Sequence, residues 1–439
     1  MRKRQATISF LVLTTLVFTG CEDRASRQPI RVGVLHSLTG TMAISEKSVR
    51  DATLMAIDEI NADGGLLGRK IEAVVADGKS DWPTFASEAD RLIRREKVSV
   101  VFGCWTSASR KTVRPVFEKH NHLLFYPVQY EGLEQSPNIV YTGAAPNQQI
   151  LPAVKWCFDE LGAPGSEGAR KFFLVGSDYV FPRTANAIMK AQIAALRGEV
   201  VDEQYVLLGS VDVKDVVDRI VQTKPDVILN TINGDTNIAF FRELRAAGVT
   251  ADAIPTMSFS IAEDELRSMD AESMKGDYAA WNYFQSIDRK ENTEFVARFT
   301  AKYGAGRVTD DPIEAGYFGV HLWAQAVRDA GTDEVSTVRK ALRDQTYAAP
   351  EGLVSVDGDT QHTWKTVRVG KITDNGQFEI VWTSQHPVRP VPFPVLKSRT
   401  EWEQFLTDLY EGWGESWAAP VPASSSEVTK LPGAGADPG

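Results

Sequence analysis

Residues 30–76, IRVGVLHSLTGTMAISEKSVRDATLMAIDEINADGGLLGRKIEAVVA, contain the pattern on which the fold depends. The apolar run 30–35 predicts a strand, and 45–61 repeats apolar residues at helical spacing. A cluster of glycines then interrupts the chain before 71–76, which predicts a second strand. A strand, a helix and a strand in this order predict a parallel βαβ unit with a right-handed crossover.

The same alternation continues well beyond this first unit. Further helices are predicted at 83–97, 107–120, 148–162, 183–197, 212–223 and 235–247, and further strands at 98–102, 123–126, 171–176, 200–206 and 226–230. A turn-rich stretch at 143–147 divides them into two sets. The predicted fold class is therefore α/β, with two doubly wound parallel-sheet lobes. In such sheets, ligands bind outside the carboxyl ends of the strands.

The N-terminus has the features of an export signal. Positive residues at 2–4 precede an apolar stretch at 8–18, and Thr19-Gly20-Cys21 then resembles the bacterial lipobox. We expect residues 1–21 to be a lipoprotein signal peptide, with Cys21 lipidated and the protein held outside the cytoplasm by a membrane anchor. The alternative is a secreted protein with an unmodified cysteine.

Composition excludes one class of partner. The formal net charge is −10, so the chain has no basic excess with which to neutralise the phosphates of a nucleic acid. Hydrophobic residues make up 43% and charged residues 24%, as in ordinary soluble globular proteins. Of the remaining cysteines, Cys104 and Cys157, we expect two buried thiols, although an oxidising compartment would permit a disulfide.

No motif for catalysis is present. The chain has no P-loop, no HExxH, no GxSxG and no GxGxxG that opens a helix after a strand. His120 and His122 form a pair without a third ligand, and we expect them to be solvated. Asp310 and Asp311 are expected to face solvent before Pro312. We therefore predict no catalytic residue, no metal, no cofactor and no enzyme.

The end of the chain differs from the rest. Residues 395–418 form an amphipathic segment whose aromatic residues recur at helical spacing from 402 to 417. We expect it to pack on the body, with a partner-docking or membrane-surface helix as the alternative. Residues 419–439 are rich in Pro, Ser, Ala and Gly, which predicts a disordered tail.

Five segments that follow predicted strands resemble a known family. They are Gly103–Lys111, Phe125–Gly132, Gly143–Gln149, Gly176–Arg183 and Asn230–Thr236. In this order and spacing they resemble the leucine/isoleucine/valine-type periplasmic binding proteins, and among these the urea-binding lipoproteins of ABC transporters and the short-chain amide receptors. The resemblance covers about residues 30–394.

The resemblance implies a Venus-flytrap architecture with a three-strand hinge and the ligand between the lobes. The implied bounds are 30–146 with 285–350 for the first lobe and 147–284 with 351–394 for the second. No catalytic role and no cofactor are implied.

The resemblance also implies a set of ligand contacts. The motif positions of the amide receptor fall on Trp105, Ser107, Tyr126, Tyr179 and Phe181, and Gln129 and Asp235 follow the urea-binding members. Urea offers several N–H donors and one carbonyl oxygen, so its pocket must supply mostly acceptors. We expect Asp235, Gln129 and Ser107 to accept, the tyrosines to donate, and Trp105 and Phe181 to provide flat walls.

The charged residues inside these motifs, Arg110, Lys111 and Arg183, are expected on the following helices or beyond the cleft. Without a cation in the cleft, a neutral ligand is favoured over an amino acid. The predicted function is capture of urea and delivery to an ABC permease. The alternatives are a sensor of short amides that acts through a protein partner and, less favoured, a hydrolase built on the same cleft.

Overall fold

The computed structural model describes residues 28–161 and 168–420. The first lobe begins with β1 (Ile30–His36), α1 (Ala43–Ala62), β2 (Ile71–Asp77), α2 (Trp82–Arg94), β3 (Val101–Gly103), α3 (Ser107–Lys119), β4 (Leu124–Tyr126) and β5 (Ile139–Tyr141). The strands pair in the order β2-β1-β3-β4-β5, and every pair is parallel. The first lobe thus has the parallel sheet that the βαβ pattern predicts.

The second lobe is built in the same way. It contains α4 (Ile150–Glu160), β6 (Lys171–Ser177), α5 (Val180–Ala195), β7 (Glu199–Val206), α6 (Lys214–Thr223), β8 (Val227–Thr231), α7 (Thr236–Ala246), β9 (Thr256–Ser258), α8 (Glu263–Leu266) and β10 (Tyr278–Trp281). Two later strands, β14 (Arg368–Ile372) and β15 (Phe378–Thr383), extend this sheet antiparallel, in the order β15-β14-β10-β9-β8-β6-β7. The second sheet is therefore mixed, whereas the pattern predicts a purely parallel one.

Between β10 and β14 the chain returns to the first lobe. This part contains α9 (Lys290–Tyr303), α10 (Asp311–Ala330), α11 (Val335–Ala341) and a small sheet of β11 (Thr346–Ala349), β12 (Gly352–Val356) and β13 (Thr363–Trp364). Val354 and Val356 are buried in the core of the first lobe. Residues 351–364 therefore belong to that lobe, and the expected boundary at residue 350 is corrected to a crossing after β13.

One asparagine joins the three crossings between the lobes. The Asn282 Nδ2 atom, just after β10, donates to the carbonyl of Gln148 at 3.1 Å and to that of Thr366 at 3.0 Å. These carbonyls belong to the other two crossings, so all three are held together by hydrogen bonds. The predicted fold class is confirmed: the chain has the type I periplasmic binding protein fold, with two α/β lobes joined by three crossings.

Helix α5 starts earlier than the pattern suggests. The predicted helix begins at 183, after Pro182, whereas α5 begins at Val180. Proline is tolerated in the first turn of a helix because the N–H that it lacks has no intrahelical partner there. The early start places Tyr179 immediately before the helix, at the carboxyl end of β6.

The C-terminal segment reaches both lobes. Its helix α12 (Arg399–Gly412) starts with a capping box between Ser398 and Glu401, and it buries Trp402 and Leu406. Residues 413–420, which we call the C-terminal strap, then lie along the second lobe. Here the Val180 N–H donates to the Trp417 carbonyl at 2.9 Å.

Among the described residues, no helix combines the length and the apolar character needed to cross a membrane. The predicted lipidation site, Cys21, and residues 421–439 of the predicted tail lie outside the described residues.

Candidate functional site

The predicted site residues follow strand ends that face the gap between the lobes. In the first lobe these ends belong to β3 and β4, and in the second to β6 and β8. A tight turn after β3 brings the first group into place. The Gly103 backbone approaches β1 so closely that an added Cβ would lie 2.1 Å from the Leu35 carbonyl oxygen, so only glycine fits.

The turn after β3 ends in a helix cap. The Thr106 hydroxyl accepts from the Ser109 N–H at 3.0 Å and starts α3. Thr106, and not Ser107, therefore caps this helix. Ser107 occupies the first helical position, where its hydroxyl is free for other contacts.

Ser107 belongs to a buried polar network. Its hydroxyl donates to the Glu131 carboxylate, and the Arg110 Nη1 atom donates to the Ser107 oxygen at 3.1 Å. Both Arg110 and Glu131 are fully buried. Neither is among the predicted ligand contacts, although Glu131 stands two residues after Gln129 in one of the recognised segments.

The charges of this network compensate one another. Arg110 lies 2.8 Å from Glu134 and 3.2 Å from Glu131, and the Lys111 ammonium lies 3.1 Å from Glu134. Burial opposes the charge on Arg110, but Glu134 and Glu131 outweigh it and hold the Arg110 pKa well above its ordinary value. Burial opposes ionisation of Glu134 too, yet Arg110, Lys111 and Arg114 keep its pKa well below the usual range.

Arg110 lies on α3, one of the helices on which the charged residues were expected, but it also contacts Ser107 directly. Its positive charge is nevertheless neutralised by buried carboxylates. Arg183 behaves as expected: it is paired with Asp178 at 2.7 Å on the second lobe.

Tyr126 and Trp105 form a second contact within the first lobe. The Tyr126 hydroxyl donates to the Trp105 carbonyl, and the Arg110 guanidinium lies 4.8 Å from the centre of the Tyr126 ring. Burial raises the pKa of the Tyr126 phenol, so the group stays protonated at neutral pH. Because this single proton already has a protein acceptor, Tyr126 has no proton left for the donation to a ligand that the sequence led us to expect.

Tyr179 and Phe181 are brought together on the second lobe. Both are 2% exposed, and their ring centres are 6.3 Å apart. They share an apolar cluster with Ala108 and Leu133 of the first lobe. Burial raises the pKa of Tyr179, and the first-lobe groups Tyr126 and Glu131 raise it further.

Gln129 reaches across to the second lobe. Its Nε2 atom donates to the Phe259 carbonyl at 2.8 Å, and Gln149 donates to the Ala280 carbonyl at 2.7 Å and to that of Phe259 at 3.3 Å. The Oε1 atoms of both glutamines are buried without a hydrogen-bond partner. Gln149 is absent from the predicted contacts, although it is the last residue of the segment Gly143–Gln149.

Asp235 has a different environment from the one expected. Its carboxylate accepts from the Thr41 hydroxyl of the first lobe, and it makes no capping hydrogen bond to α7. Two similar contacts lie nearby on α1: the Ser45 hydroxyl donates to Glu265 at 2.5 Å, and the Ser48 hydroxyl donates to Asp264 at 2.5 Å. Asp235 is thus one of a group of contacts that hold the lobes together.

A cavity of about 380 Å³ opens between the lobes beside the C-terminal strap. Thr41 and Trp82 line it from the first lobe, Tyr179 and Leu208 from the second, and Ala418 from the strap. The strap therefore borders the gap between the lobes, next to one of the predicted site residues.

Three residues that the sequence sets aside, His122, Asp310 and Asp311, are more buried than expected. His122 is 6% exposed with its Nε2 atom 2.7 Å from the Val98 carbonyl, so the expectation that both histidines are solvated is wrong for this one. Asp310 and Asp311 are 1% and 0% exposed, which corrects the expectation that they face solvent. Asp310 caps α10, and the Asp311 carboxylate accepts from the Asn282 N–H at 2.9 Å in the hinge.

The two cysteines are buried free thiols, as expected. Within residues 28–161 and 168–420, no group of three or more His, Cys, Asp or Glu side chains is arranged to hold a metal ion.

A family model described as periplasmic binding protein domain matches residues 30–399. The chain belongs to this family. A relative that matches nearly full length is the Leu/Ile/Val-binding protein homolog 6 of Brucella suis, 22% identical over 84% of this periplasmic binding protein and 94% of the relative. A shorter match, 28% identical, is to a protein of Geobacillus stearothermophilus named limonene hydroxylase; it spans 36% of this chain and 29% of that protein, so it carries no argument about activity.

Solved structures agree with the fold of this periplasmic binding protein. A solute-binding protein of an ABC transporter from Rhodopseudomonas palustris BisB5, in complex with 3,4-dihydroxybenzoic acid, superimposes with a TM-score of 0.75 at 22% identity, covering 83% of this chain and 99% of that one. The branched-chain amino acid binding protein LivJ of Streptococcus pneumoniae, in complex with isoleucine, gives 0.70 at 21% identity over 82% and 100% of the two chains. At these identities the likeness establishes the fold alone.

Proposed function

We propose that this periplasmic binding protein closes its lobes on a small neutral molecule rich in N–H donors, urea or a short amide, and delivers it to an ABC permease. The observation that carries the proposal is the hydrogen-bond polarity of the cleft. Ser107, Tyr126 and Gln129 use their own donors within the protein, so the groups that these three residues offer a ligand are acceptors.

Ser107 and Tyr126 show this polarity most directly. A hydroxyl group has one proton, and these two protons go to the Glu131 carboxylate and to the Trp105 carbonyl. The remaining lone pairs can only accept. A ligand that contacts these oxygens must therefore supply N–H or O–H groups, as urea and primary amides do.

Charge compensation supports a neutral ligand. The relatives from R. palustris and S. pneumoniae hold 3,4-dihydroxybenzoic acid and isoleucine, both of which carry a carboxyl group. A carboxylate in a closed cleft needs a cation or several donors. Here the buried cations Arg110 and Lys111 are already bound to Glu131 and Glu134, so they are not available to a ligand anion.

The size of urea limits the affinity to be expected. A ceiling of about −1.5 kcal/mol per non-hydrogen atom gives about −6 kcal/mol for a molecule of this size. This corresponds to a dissociation constant of about tens of micromolar. Tighter binding requires that nearly every polar group is matched in an enclosed site, which closure of the lobes would provide.

Isothermal titration of the mature chain with urea, acetamide, formamide, isoleucine and benzoate tests the proposal. We expect saturable binding of urea or a short amide at low millimolar concentrations or below, and none of benzoate. Binding of benzoate or isoleucine without any amide would overturn it. Uptake of labelled urea by cells with and without the gene then separates transport from a sensor role.

Membrane attachment through Cys21 is part of the same proposal. The positive residues, the apolar stretch and the lipobox-like Thr19-Gly20-Cys21 support it. We expect the wild-type chain in the membrane fraction and Cys21→Ser in an uncleaved or soluble form. An unchanged distribution of Cys21→Ser would contradict the anchor.

A further inference from the structure

Two buried glutamine amides meet at the carboxyl end of β9, where the two lobes are in contact. Gln129 follows β4 in the first lobe, and Gln149 lies just before α4. Their Nε2 atoms meet at one oxygen, the Phe259 carbonyl of the second lobe, at 2.8 and 3.3 Å. Gln149 is held by a second carbonyl as well, that of Ala280 at 2.7 Å.

These contacts fix the orientation of both amides. The oxygen and nitrogen of a glutamine amide are normally assigned from the hydrogen-bond network. Here the partners are backbone carbonyls, which only accept, so the atom facing them must be the nitrogen. The Oε1 atoms therefore point away from these carbonyls, and the assignment is unambiguous.

Both oxygens are left without a donor. Gln129 is 3% exposed and Gln149 is 1% exposed, and neither Oε1 atom has a hydrogen-bond partner among the described residues. Buried polar atoms are nearly always paired, so each such atom indicates a ligand or an ordered water. The hydroxyl of Ser260, the residue after Phe259, is a third buried polar atom without a partner.

Together these groups complement an amide or urea group, which has N–H donors and one carbonyl oxygen. Two carbonyl oxygens accept N–H groups, and the hydroxyl of Ser260, which follows Phe259 in the sequence, can donate to a carbonyl oxygen. We propose that Gln149 joins Gln129 in binding the N–H groups of the ligand, with Ser260 at its carbonyl oxygen. This inference rests on the proposed function and adds a residue that neither the motifs nor the resemblance assigns.

The contact of Gln129 with the second lobe couples ligand binding to closure of the lobes. Gln129 belongs to the first lobe and bonds to Phe259 of the second, so its oxygen is oriented only when the lobes are in contact. A ligand N–H bound by both oxygens therefore favours the closed arrangement.

The test replaces each glutamine by methionine, which has a similar length and no hydrogen-bonding amide. Gln192→Met is the matched control: its Nε2 atom also donates to a backbone carbonyl, that of Leu151 at 2.8 Å, and its Oε1 atom is also unpartnered. Gln192 stands on α5 about 18 Å along the helix from the cleft end. Urea and acetamide affinities are measured by calorimetry, and the melting temperature and near-UV circular dichroism verify folding.

We expect Gln149→Met to weaken urea binding about 10-fold or more and Gln192→Met to leave it within twofold. Unchanged affinity in a folded Gln149→Met protein would mean that the oxygens hold ordered water only, which overturns the inference. On the wild-type protein, tetramethylurea, which has no N–H group, should not bind. Binding of tetramethylurea with an affinity like that of urea would also overturn the inference.

A crystal structure of the wild-type protein with urea gives a readout that does not depend on the variants. We expect a urea nitrogen within hydrogen-bond distance of the Gln149 Oε1 atom, and its absence from that position overturns the inference. If the wild type binds isoleucine and no amide, the proposed function fails, but loss of isoleucine affinity in Gln149→Met would still support the N–H subsite. If it binds only benzoate, which lacks N–H groups, both proposals fail.

Discussion

The Thr41 hydroxyl of the first lobe donates a hydrogen bond to the Asp235 carboxylate of the second. The two residues are 194 positions apart, and their contact exists only when the lobes meet. A double-mutant cycle with Thr41→Val and Asp235→Asn should therefore show coupling of about 0.5–1.5 kcal/mol in urea binding. Calorimetry on the two single variants and the double variant gives this coupling. Strictly additive effects would show that Asp235 acts on the ligand independently of Thr41.

Ser107→Ala should weaken urea binding by about 1–3 kcal/mol, because it removes an acceptor of the cleft and leaves the Glu131 carboxylate short of a donor. The matched control is Ser109→Ala on the same helical turn, since the Ser109 hydroxyl is also buried but donates to the Thr106 carbonyl. Calorimetry should show reduced affinity for Ser107→Ala alone. Equal affinities in both variants would remove Ser107 from the site.

Arg110→Met should destabilise the fold by about 3–5 kcal/mol, because it leaves the buried Glu131 and Glu134 carboxylates without their main cation. Arg114→Met is the comparison, since the Arg114 side chain is 35% exposed while it lies 3.3 Å from the same Glu134. Guanidinium unfolding is the appropriate measurement, because urea is the proposed ligand. A loss as small as that of Arg114→Met would contradict the buried-network interpretation.

The buried carboxyl groups of Glu263 and Glu265 should lower stability as the pH rises between about 5 and 8, whereas the buried His122, His321 and His362, whose pKa values are lowered chiefly by burial, act in the opposite direction below about pH 6.5. Burial raises the pKa of Glu265 to about 7, with help from the neighbouring Asp264 carboxylate, and burial raises that of Glu263 to about 8. A carboxyl group whose pKa is raised in the folded state stabilises it below the ordinary pKa, and this stabilisation is lost as the pH passes the raised value. The contribution of Glu263 and Glu265 to the free energy of unfolding in guanidinium should therefore be larger at pH 5 than at pH 8.

Glu265→Gln should flatten this pH dependence, because the amide does not titrate. The exposed Glu272 supplies the control variant, Glu272→Gln, which should leave the profile as in the wild type. A slope that is the same in all three proteins would show that Glu265 does not titrate between the lobes.

Trp417→Ala should speed release of urea about 2- to 5-fold. The Lys111 ammonium of the first lobe lies 4.9 Å from the centre of the Trp417 ring, and this contact connects the C-terminal strap to the first lobe. Stopped-flow displacement measures the release rate. Trp382→Ala, at a tryptophan 36% exposed on β15, controls for general loss of an aromatic side chain. Equal release rates in both variants would mean that the strap does not restrain opening.

The sequence predicts the two lobes well because the order of their strands and helices follows from local patterns of apolar residues. The apolar spacing at 45–61 predicts α1, and the flanking apolar runs predict β1 and β2. Trp105 and Ser107 follow the carboxyl end of β3, which is where ligands bind in parallel sheets. The lobe boundary near residue 350 is harder to predict, because the sequence of β12 does not indicate the lobe on which its valines pack.

The residues that the sequence missed depend on distant partners. Gln149 gains its role from the Phe259 carbonyl, 110 positions away, and Asp311 is buried because it accepts backbone N–H groups at 282 and 283. No spacing within a short window encodes such contacts. The adjacent pair Asp310 and Asp311 thus has the local pattern of a solvated loop but lies at a helix cap and in the hinge.

The C-terminal strap gives the chain a practical property. Ala418 pairs with Tyr179, and residues 418–420 line the space between the lobes. A dye attached at the exposed Pro420 would change its surroundings whenever the lobes part. The protein is therefore suited to conversion into an optical sensor that reports its own ligand from its carboxyl end.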